Sequence, residues 1–206
     1  MKLTIDEKIQ DYIKSLEKGK IQIDVSLLVS CPYKTIYEPR ANITWRTEAH
    51  ILWQNKLKQQ DPNWLIEYEV SYDEEEFKVI GYVDAFHPIK KLLLEGKTSR
   101  QLYQKHLRQV ALYKFMLEQQ LGEEVKVYIV FIDEKGNERY KIKPTLPTDM
   151  EVMYYIYSRV EKIINGLKRG YIVKIPDSED CKYCIFAKDC RKKQELQTTL
   201  DSFLQA

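Results

Sequence analysis

The sequence predicts a mixed α/β domain, a sheet with helices packed across it. Three observations lead there. Segments with helical apolar spacing bracket three consecutive strand-like segments. A further strand-like pair is joined by "EKGN", the signal of a hairpin turn. The chain has 206 residues, 44% of them apolar and 31% charged, enough to bury one proper core. Helices and strands in this order pack as layers around that core. Without repeats, low-complexity segments or an interdomain linker, a single domain over residues 1–206 is expected.

Each element has its own signal. "TIDEKIQDYIKSLEKG" places Ile5, Ile9, Tyr12, Ile13 and Leu16 at helical spacing, with Thr4 as cap and Gly19 as stop. Ser26 is a candidate cap for a second helix containing Cys31, with Pro32 near its end. "TWRTEAHILWQNKLKQ" is a third helix. The three strands are "LIEYEVSY", "FKVIGYVDAF" and "KKLLLEGKTS". A long helix over "RQLYQKHLRQVALYKFMLEQQLG" closes at Gly122. The hairpin strands "EVKVYIVFID" and "ERYKIKP" follow, then a last helix, "TDMEVMYYIYSRVEKIINGLKRG", and a tail rich in cysteine and charge.

Charge and hydropathy narrow the function classes. The 33 basic and 31 acidic residues leave a net charge of +2, which neither points to a nucleic-acid partner nor excludes one. A cleft holding metal-binding acids would hide a basic face in such a sum. The apolar run "VYIVFI" is far too short to span a bilayer, so no membrane role is expected. The opening "MKLTIDEKIQ" has acids where a secretory signal needs an apolar stretch, which makes a cytoplasmic location the expectation.

Chemistry concentrates in "GYVDAFHPIKKLLLEGKTSR", two apolar strands that carry Asp84, Glu95 and Lys97. Residues two apart on a strand share a face, so Glu95 and Lys97 point the same way, and Gly96 between them exposes its backbone. Pairing of the two strands brings Asp84 beside Glu95. Neighbouring carboxylates repel, and a hard cation such as Mg²⁺ or Mn²⁺ relieves that repulsion. Such an ion polarises a phosphate oxygen and lowers the pKa of bound water, while Lys97 orients the water or stabilises charge on phosphorus. From the pattern alone, a salt bridge at a strand end is the commoner outcome in a chain this charged. On the following helix Gln109 and Tyr113 lie at i and i+4, an amide and a phenol on one face. His50, among Trp45, Ile51, Leu52 and Trp53, is a candidate to complete the metal shell. His87 and His106 have less to recommend them, although His106 shares a helix face with Gln109.

All four cysteines enter one pattern: Cys31 alone, then Cys181, Cys184 and Cys190 spaced C-x2-C-x5-C. In a reducing compartment close cysteines read as metal ligands rather than disulfides. Four thiolates suit zinc or an iron–sulfur cluster, and one isolated ligand beside a compact trio leans towards iron–sulfur. Either centre would clip an N-terminal helix to the C-terminal tail.

The ordered set His50, "GYVDAF", "EGK", "QVALY" and C-x2-C-x5-C resembles the RecB-like iron–sulfur exonucleases associated with CRISPR adaptation, including copies carried by archaeal viruses. They belong to the PD-(D/E)XK nuclease superfamily. The resemblance spans residues 26 to 190. It implies a restriction-endonuclease-like core in which Asp84 is the acid of G-x-x-D and Glu95 and Lys97 are the acid and lysine of E-x-K. It makes His50 the upstream metal ligand and the Gly96 carbonyl a further one, with Gln109 and Tyr113 as Q-x-x-x-Y beside the active site. Cys31, Cys181, Cys184 and Cys190 become ligands of a structural [4Fe–4S] cluster in a subregion of residues 26–40 and 175–195, though some relatives hold [2Fe–2S]. Relatives often carry arginine soon after the first Cys-Pro, where this chain reads "CPYK".

The expected activity is therefore Mg²⁺- or Mn²⁺-dependent exonucleolytic hydrolysis of single-stranded DNA, commonly 5′ to 3′. Its setting would be CRISPR spacer acquisition, with integrase proteins as partners, or processing of DNA ends in a mobile element. A single-strand channel needs basic groups and stacking aromatics, for which Arg100, Arg108, Tyr103, Tyr113 and Tyr183 are candidates. Two other readings stay open: a non-catalytic adaptor of the adaptation complex, and a zinc-stabilised nucleic-acid-binding module.

Overall fold

The computed structural model describes residues 14, 19–37, 44–175, 181–182, 184–188 and 190. The helix expected over residues 4–19 falls almost wholly outside the described residues, as does Tyr183. The described elements are β1 (Ile21–Asp24), α1 (Val25–Val29), α2 (Pro32–Tyr37), α3 (Thr44–Gln60), β2 (Leu65–Asp73), β3 (Phe77–His87), β4 (Leu92–Lys97), α4 (Gln104–Leu121), β5 (Lys126–Ile132), β6 (Glu138–Ile142) and α5 (Asp149–Lys168). None of the described helices is long and apolar enough to cross a membrane.

Six strands form one mixed sheet in the path β1-β3-β4-β5-β6, with β2 also paired to β3. β2 runs antiparallel along nearly all of β3, from Leu65↔Phe86 to Asp73↔Lys78. That leaves one edge of β3 for two strands. β1 takes its start in parallel, Ile21↔Phe77 to Asp24↔Ile80, and β4 takes its end antiparallel, Ala85↔Leu94 to His87↔Leu92. The chain between these pairings, Gly81 to Asp84, faces the fork where β1 and β4 part. Forks of this kind leave strand ends open to a ligand. β4 then pairs β5 in parallel through Lys97↔Phe131, and β5 and β6 form the expected hairpin.

Two cores flank the sheet. The larger one joins Val79, Val83, Phe86 and Leu93 to α1, α4 and α5 through Leu28, Val110, Phe115, Met116, Ile156 and Val160. The smaller one packs Ala49, Trp53 and Leu57 of α3 on Ala85, Leu94, Val130 and Ile132. The turn of the β5–β6 hairpin fixes α3 in place. Asp133 Oδ1 accepts the Lys135 and Asn137 backbone N–H groups, and Lys56 Nζ of α3 donates to the Lys135 carbonyl and to Asn137 Oδ1.

Several local expectations need correction. β1 has no separate signal in the sequence, because "IQID" runs straight into a helix. The cap of α1 is Asp24 rather than Ser26, and extended Ser30 ends the helix before Cys31. Cys31 therefore lies in the joint between two short helices, not inside one. The carbonyls at the end of α1 find partners on α5. Buried Arg159 donates through Nε to Leu28 O at 2.8 Å and through Nη2 to Ser30 O at 2.6 Å, and the Tyr155 hydroxyl donates to Leu28 O at 2.6 Å. The long helix α4 starts at Gln104, since extended Tyr103 caps it and donates its N–H to His106 Nδ1. Its end at left-handed Gly122 is as expected. Thr148 and Glu151 close the start of α5 as a reciprocal capping box.

Candidate active site

Chain register brings the strand acids together. One step beyond the Ala85↔Leu94 pair, Asp84 stands opposite Glu95. Asp84 Oδ2 accepts the Gly96 backbone N–H at 2.7 Å and lies 3.6 Å from His50 Nδ1, presented by α3. Lys97 Nζ sits between two acceptors, Glu95 Oε1 and Gln109 Oε1, each at 2.8 Å. Gln109 Nε2 in turn donates to the Tyr113 hydroxyl at 3.1 Å. His50, Asp84, Glu95, Gly96, Lys97, Gln109 and Tyr113 thus form one connected site at the fork of the sheet.

Two glycines make the approach possible. A Cβ on Gly96 would stand 2.8 Å from the Trp53 ring and 3.2 Å from His50 Cε1, so only glycine lets α3 lower its imidazole onto this strand. A Cβ on Gly81 would stand 2.5 Å from Tyr113 Cε1, so α4 presses its phenol against bare backbone. Tyr113 is only 5% exposed, and its route to the site is therefore the amide of Gln109.

Burial sets the electrostatics. It pushes the Asp84 carboxyl up to about 6, the Lys97 charge pulling the other way. It pushes Glu95 up to about 7, and the Asp84 charge adds to the rise. Burial and then Lys97 hold the His50 imidazole below its ordinary value, which keeps it a neutral nitrogen donor. Burial also raises the Tyr113 phenol, so it stays protonated. Glu95 is 2% exposed and its Oε2 finds no hydrogen-bond partner. A buried carboxylate oxygen left without a donor costs free energy unless a proton or a cation meets it.

The donor set fits a hard divalent ion by this test: two carboxylates, a neutral imidazole and an orphaned buried oxygen. Among the described residues no three His, Cys, Asp or Glu side chains already close on a common point. Asp84 Oδ2 accepts from Gly96 and Glu95 Oε1 from Lys97, which leaves Glu95 Oε2 as the buried carboxylate oxygen without a donor.

A pH dependence follows from the raised carboxyls. Each binds its proton more tightly folded than unfolded, so the stability it contributes is fully present below the unfolded values near pH 4 and is lost as pH rises through about 6 and 7. The thermal midpoint of EDTA-treated protein should carry a falling component over that window. The Glu95→Gln variant, measured by the same melts, should lose the upper part of it. Added Mn²⁺ should raise the wild-type midpoint most at the alkaline end, where both groups are ionised.

Other candidates sit apart from this site or at its rim. Arg100 is exposed, and its carbonyl accepts from the Tyr140 hydroxyl. Arg108 lies over the Tyr155 ring at 5.9 Å, and Lys105 lies over the Tyr103 ring. His87 pairs with Asp61 at 2.8 Å beside Trp64 and is a structural group. His106 is buried, driven down to about 3 by burial and then by Lys97 and Lys105, so it accepts a hydrogen bond at the start of α4 as a neutral ring. Two residues escaped the sequence reading. Gln54, one helical turn after His50, donates to the Asp84 carbonyl at 3.1 Å and to Glu67 Oε1 at 2.7 Å. The i, i+4 spacing from His50 was the available signal for Gln54; Glu67 had none.

None of the four cysteines is in a disulfide. Cys31 is buried, and the other three are half-buried along a short helical turn in which Cys190 N–H donates to Phe186 O. The Tyr33 ring meets Phe186 edge-on at 5.2 Å, so the segment after Cys31 touches the segment holding the trio.

Comparison with known proteins agrees with the fold. The solved structure of SSO0001 superposes with a TM-score of 0.57 at 20% identity, over 91% of this chain and 96% of that one, a likeness of fold alone. A chain named "Putative exonuclease", from Eubacterium rectale, gives 0.42 at 14% identity over 89% and 80%, too distant to carry an argument. No curated protein matches the sequence. A family profile does, over residues 24–191, from the end of β1 through the last cysteine. Since that match runs through most of the sequence, the chain belongs to the PD-(D/E)XK nuclease superfamily.

Proposed function

We propose that the protein is a metal-dependent exodeoxyribonuclease that hydrolyses the phosphodiester bonds of single-stranded DNA from the 5′ end. The observation that carries this reading is Lys97, bridged between Glu95 Oε1 and Gln109 Oε1 while the second Glu95 oxygen remains without a donor. A salt bridge made for stability would satisfy both oxygens; this one leaves a buried acceptor without a donor, as a cation site would.

His50, Asp84, Glu95 and the Gly96 carbonyl would hold Mg²⁺ or Mn²⁺. The bound ion supplies a water of lowered pKa and a Lewis acid for the phosphate oxygen. Lys97 contributes the adjacent ammonium, which would orient that water and offset negative charge growing on phosphorus. Gln109 keeps the ammonium aimed, and Tyr113 keeps Gln109 aimed. Arg100, Arg108 and Tyr103, at the start of α4 and the loop before it, are the candidates for leading a strand to the site. The 3′ oxygen of the scissile bond leaves.

End-labelled single and double strands test this reading. With Mn²⁺ the wild-type protein should shorten the single strand stepwise from its 5′ end; with EDTA it should leave it whole. Full activity in EDTA, or tight binding without cleavage in Mn²⁺, would exclude the assignment. CRISPR spacer acquisition, or trimming of ends in a mobile element, is the biological setting we propose for it.

The four cysteines are proposed to hold a [4Fe–4S] cluster of structural role, supported by the contact of Tyr33 with Phe186 between their two segments. Cys184→Ser should lose iron and thermal stability together, measured by iron content, visible absorbance and melting. A colourless wild-type protein containing zinc would overturn the cluster, and normal iron in the variant would overturn this ligand set.

A further inference from the structure

Glu67 stands out in the fold. It lies within β2 with φ of 49°, a left-handed conformation that costs any residue with a Cβ and that glycine adopts freely. Its place in the register is opposite Asp84, between the Ile66↔Ala85 and Tyr68↔Val83 pairs. The alternation of strand faces resets there. Leu65 and Tyr68, three apart, both pack on the larger core, while Ile66 packs on the smaller one. Across the pair Val83 and Phe86, also three apart, belong to the larger core and Ala85 to the smaller. The strained residue is thus what turns this stretch of sheet, and the stretch carries Asp84.

A glycine would make the same reset more cheaply, yet the residue is an exposed glutamate tied by Gln54. Gln54 is 6% exposed, and its amide donates both to Glu67 Oε1 at 2.7 Å and to the Asp84 carbonyl at 3.1 Å. Its helix also carries His50, so one buried side chain locks the Glu67 carboxylate to two of the three elements that present the site's ligands. The Glu67 charge reaches His50, Asp84 and Tyr113 electrostatically. The orphaned oxygen of Glu95 independently marks a ligand on the same site.

We propose that Glu67 is a third acidic group of the cation site, a positioning residue on its solvent side that draws in the divalent ion and accepts hydrogen bonds from its water. This rests on the cation-site reading of His50, Asp84 and Glu95. Backbone strain persists where function repays it, and outer partners of metal ligands tune affinity strongly.

The test is Mn²⁺ binding by the full-length protein, titrated by electron paramagnetic resonance, in wild type, Asp84→Asn, Glu67→Gln and Glu67→Gly. Glu67→Gln keeps an acceptor for Gln54 and removes the charge; its affinity should fall about tenfold. Glu67→Gly should bind as weakly while melting no lower than wild type, because it relieves the left-handed strain; a residue kept for the fold alone would instead lower the melting temperature. Wild-type affinity in both Glu67 variants overturns the proposal while leaving the site standing. Equal binding in wild type and Asp84→Asn, or none in wild type, brings down the cation site and Glu67 with it.

Discussion

Lys97→Ala is expected to lower Mn²⁺-dependent hydrolysis of single-stranded DNA by about 10²- to 10³-fold, the usual loss when one preorganised electrostatic group is removed from an active site. The ammonium is the only cation hydrogen-bonded to Glu95 among the described residues, and Gln109 holds it at 2.8 Å on the opposite side. Alanine leaves both acceptors without their donor. Glu95, already raised to about 7 by burial, then titrates higher still, since Lys97 is one of the charges holding it down. The variant should therefore stay folded with Glu95 protonated at neutral pH, and Mn²⁺ binding should shift to more alkaline pH. Asp84→Ala should remove hydrolysis altogether by deleting a ligand. Undiminished hydrolysis in both variants, followed on end-labelled strands, would show that the chemistry lies elsewhere in the molecule.

The largest effect on stability is expected at Gly136, in the turn of the β5–β6 hairpin. Its φ of 67° is left-handed, and a Cβ there would stand 2.6 Å from the Trp53 backbone N and 2.8 Å from the Ala49 carbonyl. Alanine meets helix backbone that cannot rotate away, so the conformational cost of roughly 1–2 kcal/mol adds to an overpacking cost of roughly 1–3 kcal/mol. Gly136→Ala should lower the melting temperature by about 5–15 °C, taking about 2–4 °C per kcal/mol for a chain this long. Because the turn abuts the helix that carries His50, metal affinity should fall in parallel. Unchanged melting would mean that the hairpin tip is free to move off the helix.

Much of this was legible in the sequence because its signals are local or short-range. The three consecutive strands, the hairpin at "EKGN" and the helices ending at Gly122 and starting at Thr148 all come from period and turn chemistry. Asp84, Glu95 and Lys97 were legible as a unit because two paired strands have few registers that bury Val83, Leu93 and Leu94. What was not legible depends on long-range partners. β1 is four residues whose strand state is set by the Phe77 end of β3. Ser30 breaks the helix before Cys31 because Arg159, far away on α5, satisfies the carbonyls left there. Glu67 reads as an ordinary outward strand residue, since nothing in "LIEYEVSY" announces a left-handed backbone.

Arg159 has one more consequence. Its guanidinium and the Tyr155 hydroxyl anchor the carbonyls of Leu28 and Ser30, directly ahead of Cys31, without help from any thiol. If the cysteines hold the proposed cluster, the lone sulfur is thereby in place before the metal arrives, and maturation would be a one-sided capture. In that proposed centre only the trailing trio would have to find its partner, which would shorten the conformational search from two free segments to one.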